Sequence, residues 1–372
     1  MRLAVSICVS VWVSCLLIGG APAPVYCAEV MPPVHIDVTA PPARHINDYH
    51  LFRDVAQQLP NEGLIPFSIN TPLFADYAEK YRFVYLPPGA QATYASEDAF
   101  AFPIGTVMVK TFSYLHDRRD PTAGKRILET RLLMHRPEGW VGYPYVWNDD
   151  LSDARLAVAG ARIPVSWIHD DGAPRETRYT IPNMNECKHC HENNQAMGPI
   201  GPKARQLNRF HDYGAGETHQ LQAWIRRGVL AEAPDDLASV PIMPSWNDGT
   251  VPLEVRARSY LDGNCAHCHN PGGDAGPTGL DLRWFQKEPV AYGINKLPTA
   301  AGPSSRGYKY AIRPARPDRS FLLSRLRATD PALMMPRTGR TIPHDEGIAL
   351  IESWIAEMDP NLSSRRLFED TP

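Results

Sequence analysis

The chain contains few cysteines, and they are not distributed as a disulfide framework requires. Of its 7 cysteines in 372 residues, Cys8, Cys15 and Cys27 lie within the first 28 residues. The other four fall in two short clusters, so no cysteine is left over for a structural disulfide elsewhere. This distribution excludes the disulfide-rich class of small exported domains.

A long apolar run and an excess of basic residues are also missing. The apolar stretch at residues 4–18 is shorter than the roughly 20 residues that a membrane-spanning helix needs. The chain has 38 Lys and Arg against 41 Asp and Glu, with a net charge of -3. Because a nucleic-acid-binding surface requires a basic stripe, we exclude nucleic acid as a partner.

The N-terminus has the pattern of a secretory signal. Arg2 precedes the short apolar stretch, and small residues and prolines follow it. We predict a signal peptide over residues 1–28, cleaved after Ala28, and a periplasmic product without a transmembrane span. Tyr26 fits the minus-three position poorly, and a retained N-terminal anchor is the alternative.

The two cysteine clusters share the pattern C-x-x-C-H, which is the attachment signature of haem c. Two thiols about one helical turn apart each form a thioether with one vinyl group of the same porphyrin. The histidine that follows supplies the proximal ligand of the iron. The sequence therefore predicts two covalently attached haem c groups, held by Cys187, Cys190 and His191 and by Cys265, Cys268 and His269.

Two other interpretations of the clusters fit less well. One is a disulfide within each C-x-x-C, and the other is a zinc ion. Zinc in a structural site takes four ligands, so each cluster would need two more. Only His211 and His219 are suitably spaced after the first cluster, and nothing comparable follows the second.

The sixth ligand decides whether an iron is closed or open to other ligands. For the second haem we predict Met335, because Pro336 stiffens its loop, with Met334 as the alternative. Guanidinium groups suit carboxylates, which makes three arginines candidates to pair with the haem propionates. They are Arg313, Arg337 and Arg340.

The sixth ligand of the first haem is less determined. Met197 lies close to His191 in sequence, which limits its reach across a porphyrin. Met243 has the better spacing and is also followed by proline. Both remain candidates, and an open position or a histidine is the alternative, either His211 or His219.

Hydrophobic patterning divides the chain into a β-rich part and a more helical part. Strands are predicted at 81–86, 105–114, 126–135, 140–147, 154–159, 162–168 and 176–181. Helices are predicted at 47–59, 217–227, 253–261, 318–326 and 344–358. The order of the second half (haem motif, Met-Pro loop, C-terminal helix) is that of a class I cytochrome c.

The expected fold class is therefore α+β and multidomain. An antiparallel β-rich N-terminal domain is followed by two mainly α-helical, class I cytochrome c-like haem regions. The predicted boundaries are 1–28 for the signal peptide, 29–44 for an extended leader, 45–182 for the β-rich domain, 183–250 for the first haem region and 251–372 for the second.

Several stretches carry a resemblance that covers nearly the whole mature chain. They are residues 71–78, 129–133, 145–148, 199–204 and 264–270, and residues 334–336 with 339–340. In them the chain resembles a family of exported bacterial diheme c-type cytochromes with a β-rich N-terminal region and no assigned activity. The resemblance implies two covalently bound haems and a periplasmic location, and it implies little about a reaction.

The function that we expect is electron transfer by a periplasmic diheme cytochrome. Its partner would be a periplasmic or membrane-associated redox protein, docked in part by the β-rich domain. Two alternatives remain open. One is a peroxidase-like diheme oxidoreductase with an open or labile first haem. The other is a haem-containing binding or sensor module.

Overall fold

The computed structural model describes residues 31–362 except 215, 300–304 and 306. The predicted signal peptide lies outside these described residues. No helix within them has the length and apolar character needed to cross a membrane.

The described residues form sixteen strands and six helices. The strands are β1 Phe52–Asp54, β2 Leu59–Pro60, β3 Leu64–Pro66, β4 Glu79–Tyr85, β5 Ala92–Thr93, β6 Val107–Leu115, β7 Lys125–Arg136, β8 Gly139–Trp147, β9 Ala154–Leu156, β10 Ala161–Ile168, β11 Pro174–Ile181, β12 Glu192–Asn193, β13 Ala196–Met197, β14 Phe210–Asp212, β15 Glu217–His219 and β16 Leu230–Ala231. The helices are α1 Lys188–His191, α2 Ala204–Leu207, α3 Gln220–Arg226, α4 Leu253–Asn264, α5 Phe321–Arg327 and α6 Asp345–Glu357.

The largest sheet has six antiparallel strands in the order β3-β4-β6-β7-β8-β9. Side chains alternate between its two faces. One face carries a cross-strand row of buried apolar residues, Phe83, Val109, Leu132 and Tyr143. Residues 34–51 cover this face with further buried side chains, so it is the core of the N-terminal part.

The opposite face of the six-stranded sheet meets the rest of the chain. The hairpin of β10 and β11 packs over one end of it, with Trp167 and Tyr179 buried against Phe112 and Tyr114. The middle of this face lines the first of two cavities, described below.

The predicted β-rich domain and first haem region share one core. Phe67, Val84 and Phe100 pack with Leu221 and Trp224 of α3. In addition, β5 pairs in parallel with β16, which places residues 92–93 beside 230–231. These two stretches of chain are therefore packed together and do not form separate domains.

The seven predicted strands are confirmed as β4 and β6–β11, and four of the predicted helices correspond to α3–α6. The predicted fold class is wrong. The described chain is β-rich, with 27% strand and 21% helix, and two mainly α-helical cytochrome c domains are not seen. Helices α1–α3 have only 4, 4 and 7 residues. Pro199, Gly201 and Pro202 separate α1 from α2, and proline and glycine interrupt helices because of their backbone restrictions.

Candidate functional site

The first cysteine cluster lies on a short turn with a well-defined start. A 3₁₀ turn, Met184–Cys187, leads directly into α1. Asn183 accepts hydrogen bonds from the backbone N–H groups of Asn185 and Glu186, and the Glu186 carboxylate accepts one from the Asn183 N–H at 2.9 Å. This capping box fixes the turn that presents Cys187.

The ring of His191 leaves one nitrogen free. Its Nδ1 lies 2.8 Å from the carbonyl oxygen of Gly198. A carbonyl only accepts, so Nδ1 carries the proton and Nε2 retains its lone pair. Burial, with a further contribution from the charge of Lys110, lowers the pKa of His191 to about 4. The imidazole is thus neutral and has the form that ligates a metal.

His269 of the second cluster is arranged in the same way. Its Nδ1 lies 3.3 Å from Oγ1 of Thr278. The Thr278 hydroxyl donates its own proton to the Ala275 carbonyl at 2.6 Å, so it accepts from the histidine ring. Burial lowers the pKa of His269 to about 4. Its Nε2 is therefore also unprotonated and available.

Each cluster borders its own cavity. Cys265, Cys268 and His269 line one of about 530 Å³, a volume within the range of cofactor sites. Cys187, Cys190 and His191 line the other, a crevice of about 170 Å³. The volume of this first cavity is below that range.

The two cavities are neighbours. Cys190 and His267 line both of them. The two clusters also contact each other directly, since the Cys268 thiol donates to the His189 carbonyl at 3.0 Å. A backbone hydrogen bond of 2.8 Å joins Asn194 N–H to the Gly272 carbonyl.

The donor set at each cavity fits haem c. In each cluster, two thiols lie within four residues in sequence of a neutral imidazole whose Nε2 is free. The zinc interpretation has one observation in its favour, because Sγ of Cys190, Sγ of Cys268 and a ring nitrogen of His267 lie within 4.8 Å of one another. That group takes one cysteine from each cluster and has three donors, one fewer than a structural zinc site needs.

The predicted sixth ligand of the second haem lies at the cavity that the second cluster borders. Met335 lines the 530 Å³ cavity together with His269. Its loop is held by backbone contacts: Met335 N–H donates to the Arg325 carbonyl, and Arg340 Nε donates to the Met335 carbonyl, both at 3.0 Å. The alternative, Met334, is buried and is not among the described residues that line this cavity.

The methionines predicted for the first haem lie elsewhere. Among the described residues lining the first cavity, the one methionine is Met108 of β6. Met197 pairs with Glu192 in the hairpin of β12 and β13. Met243 is fully buried, with its N–H bonded to the Arg205 carbonyl at 3.0 Å.

The histidine alternatives for the first haem are also placed away from this cavity. His211 Nδ1 lies 3.0 Å from the Ser68 hydroxyl. His219 Nε2 lies 2.8 Å from Oδ1 of Asn208. Neither ring is among the described groups that line the first cavity.

The three arginines suggested for the propionates have different surroundings. Arg337 lines the second cavity. Arg313 donates to Asn295 Oδ1 at 2.7 Å. Arg340 is buried and donates to five backbone carbonyls around the Met335 loop, so its role here is to hold that loop.

A group of cations in the wall of the first cavity was not predicted from the sequence. Lys80 and Arg82 of β4, Lys110 of β6 and Arg131 of β7 all line it. Burial, followed by repulsion from Arg131 and Arg82, lowers the pKa of Lys110 to about 7. The signal in the sequence was Lys110, the one charged residue of β6.

No family model matches the chain, and searches of curated proteins and of solved structures also gave no match.

Proposed function

We propose that the chain is an exported, periplasmic diheme c-type cytochrome that transfers electrons between redox partner proteins. One observation carries the proposal. Two C-x-x-C-H clusters, each with a neutral histidine whose Nε2 is free, border two adjacent cavities that share Cys190 and His267 in their walls.

Haem c supplies a one-electron couple when it is bound. The chain's own residues do the rest. The four cysteines fix the groups covalently, and the Gly198 carbonyl and the Thr278 hydroxyl orient the two histidine rings. The backbone hydrogen bond from the Asn194 N–H to the Gly272 carbonyl, at 2.8 Å, holds the two sites at close range.

The test of this proposal is a haem count followed by a kinetic measurement. The protein is produced with a haem-attachment system, and intact mass and the pyridine haemochrome spectrum give the number of haems. We expect two. Stopped-flow reduction is then expected to show electron exchange between them. A chain that matures without haem, or two haems that never exchange electrons, would contradict the proposal.

A second candidate function is supported by the surroundings of the first cavity. None of the four predicted sixth ligands lines it among the described residues. Met108 is the one methionine among the described residues that line it, so a first iron that Met108 does not ligate would be open or labile, as a peroxidase-like oxidoreductase needs. Carbon monoxide binding by one reduced haem, together with peroxide turnover, would select this candidate.

Met335→Ala is expected to affect the second haem alone. Loss of a thioether ligand opens the iron, so the variant is expected to bind carbon monoxide at that haem and to lose the methionine-to-iron charge-transfer band. Met334→Ala is the control, because Met334 does not line the cavity. Equal spectra for the two variants would reject Met335 as the ligand.

Gly142→Ala is expected to disturb the first site. A Cβ at this position would lie 2.7 Å from Sγ of Cys187, closer than such contacts allow. We expect Cys187 to be displaced and the haem content to fall towards one per chain. Gly249→Ala is the matched control, since its Cβ meets nothing within 4 Å. Two haems in both variants would show that Gly142 does not seat the cluster.

A further inference from the structure

The cations at the first cavity form a regular array on the sheet. Arg82 of β4 is directly opposite Lys110 of β6, and Lys110 is directly opposite Arg131 of β7. Lys80 lies on the same face, two residues from Arg82. We call these four residues the cation row. Like charges directly opposite each other destabilise a sheet, so the row needs a compensating partner.

The protein itself supplies only part of that compensation. Arg131 is paired with the buried carboxylate of Glu129, through bonds of 2.8 and 2.6 Å. Lys80 and Arg82 donate to backbone carbonyls, at 3.0 and 3.2 Å. Among the described residues, no carboxylate lies within ion-pair distance of Lys80, Arg82 or Lys110.

Apolar surroundings increase the cost of the charges in the cation row. The Phe112 ring is buried, and the charged groups of Arg131, Lys110 and Lys80 lie 4.3, 5.3 and 6.0 Å from its centre. A ring face attracts a cation but does not neutralise it. All three side chains are only partly exposed, so water does little to screen them. An anion beside the row would compensate these charges.

The position of the first cluster identifies a carboxylate source. Cys187 lies against Gly142 of β8, which pairs with Leu133 of β7. Neighbouring strands are about 4.8 Å apart, so β8 and β4 are separated by about 14 Å across β7 and β6. The cation row crosses this distance, with Arg131 one strand away from β8 and Arg82 three strands away. A haem attached at Cys187 can thus lie across the sheet face and reach the cation row.

We propose that the cation row binds the two propionate carboxylates of the haem attached at Cys187 and Cys190. This inference rests on the proposed function. It also assigns a role to the N-terminal sheet, which then forms one wall of the first haem site. Arginine and lysine at this position would pair with carboxylates through charge-assisted hydrogen bonds.

The test uses the matured, full-length protein and four variants. Lys110→Gln and Arg82→Gln remove one charge each, and Lys110→Arg keeps it. Arg126→Gln is the matched control on β7, because Arg126 is exposed and pairs with Asp149 at 3.3 Å. Haem content is measured first. Spectroelectrochemistry as a function of pH then gives the midpoint potentials of the two haems.

Removing a cation beside the propionates favours the oxidised iron. In each Gln variant we expect the midpoint potential of one haem to fall by about 59 mV. For a one-electron couple this is a tenfold change in the oxidised-to-reduced ratio. The pH at which that potential changes is expected to rise, because the propionates lose a partner. Lys110→Arg is expected to restore both quantities, and the other haem and Arg126→Gln are expected to show no change.

Three outcomes would overturn the inference in different ways. Two haems with unchanged potentials in the Gln variants would reject the assignment to propionates. A second result would assign the row to a free oxyanion. Phosphate would shift the potential of one haem in the native protein but in neither Gln variant, and without phosphate the variants would have the native potentials. No haem at Cys187 would reject the proposed function itself, and the initial count detects this case separately.

Discussion

Replacing Cys265 and Cys268 together by serine is expected to remove one of two haems from the matured protein. Serine forms no thioether with a vinyl group, so the second site loses both covalent bonds while the first keeps its own. Intact mass and the pyridine haemochrome absorbance per chain are expected to show one haem. The absorbance is thus expected to fall to about half, the largest spectroscopic change that we anticipate.

His189→Gln is the control for that experiment. His189 lies inside the first cluster, and its side chain is half-exposed near Asp274, at 3.8 Å. It belongs to the motif without being a cysteine or the proximal ligand, so we expect two haems in this variant. Retention of two haems after the double serine substitution would contradict covalent attachment at the second cluster.

Asp262→Asn is expected to cause the largest loss of stability. Asp262 and Arg205 form an ion pair of 2.8 Å, and their side chains are only 2% and 3% exposed. Removing one partner of a buried pair leaves an uncompensated charge, which costs about 3–5 kcal/mol of unfolding free energy. Chemical denaturation measures this loss. The pair connects α2 to α4, and α4 ends at Asn264, directly before the second cluster.

Asp171→Asn provides the matched control for this substitution. Asp171 pairs with Arg175 at 2.6 Å, but both side chains are about half exposed. Exposed pairs contribute about 0–1 kcal/mol, so we expect a small change. Similar losses of unfolding free energy in the two variants would show that the buried pair contributes no more to stability than the exposed pair.

The buried pair also predicts a dependence on pH. Burial by itself would raise the pKa of Asp262, but the charges of Lys203 and Arg205 outweigh it, and the folded-state pKa lies below the ordinary value. A depressed pKa gives stability that is present above the unfolded value, about 3.9, and is lost as the pH falls through the folded value. Native protein is expected to lose this contribution only in acid, and Asp262→Asn is expected to lack that transition.

Local patterns in the sequence were sufficient for regular strands but not for the first predicted helix. Residues 47–59 have apolar side chains at helical spacing, yet the chain forms a short 3₁₀ turn, Ile46–Tyr49, followed by β1 and β2. Gln58 has a φ of 53°, which a helix cannot accommodate. Tertiary contacts decided this segment, because Phe52 is buried against Phe83 of the sheet.

The haem regions were expected to be helical because their order of motifs is that of a class I cytochrome c. That order indicates where ligands fall along the chain, but it does not determine what packs around them. In the structure the sheet takes the place that helices were expected to fill at the first cavity, with Met108 and Lys110 of β6 in its wall. Cross-strand register is a long-range property, so the cation row was not visible until the strands were paired.

The bonds between Asp76 and Thr341 have a consequence for the order of folding. The Asp76 carboxylate accepts hydrogen bonds from the N–H and the hydroxyl of Thr341, at 2.7 Å each, across a separation of 265 residues. Contacts this far apart in sequence form slowly, because the loop between them must first be closed. All four cluster cysteines lie inside that loop. We therefore expect an interval during folding in which the thiols are accessible to a covalently attached group, and it ends when the two ends of the loop meet.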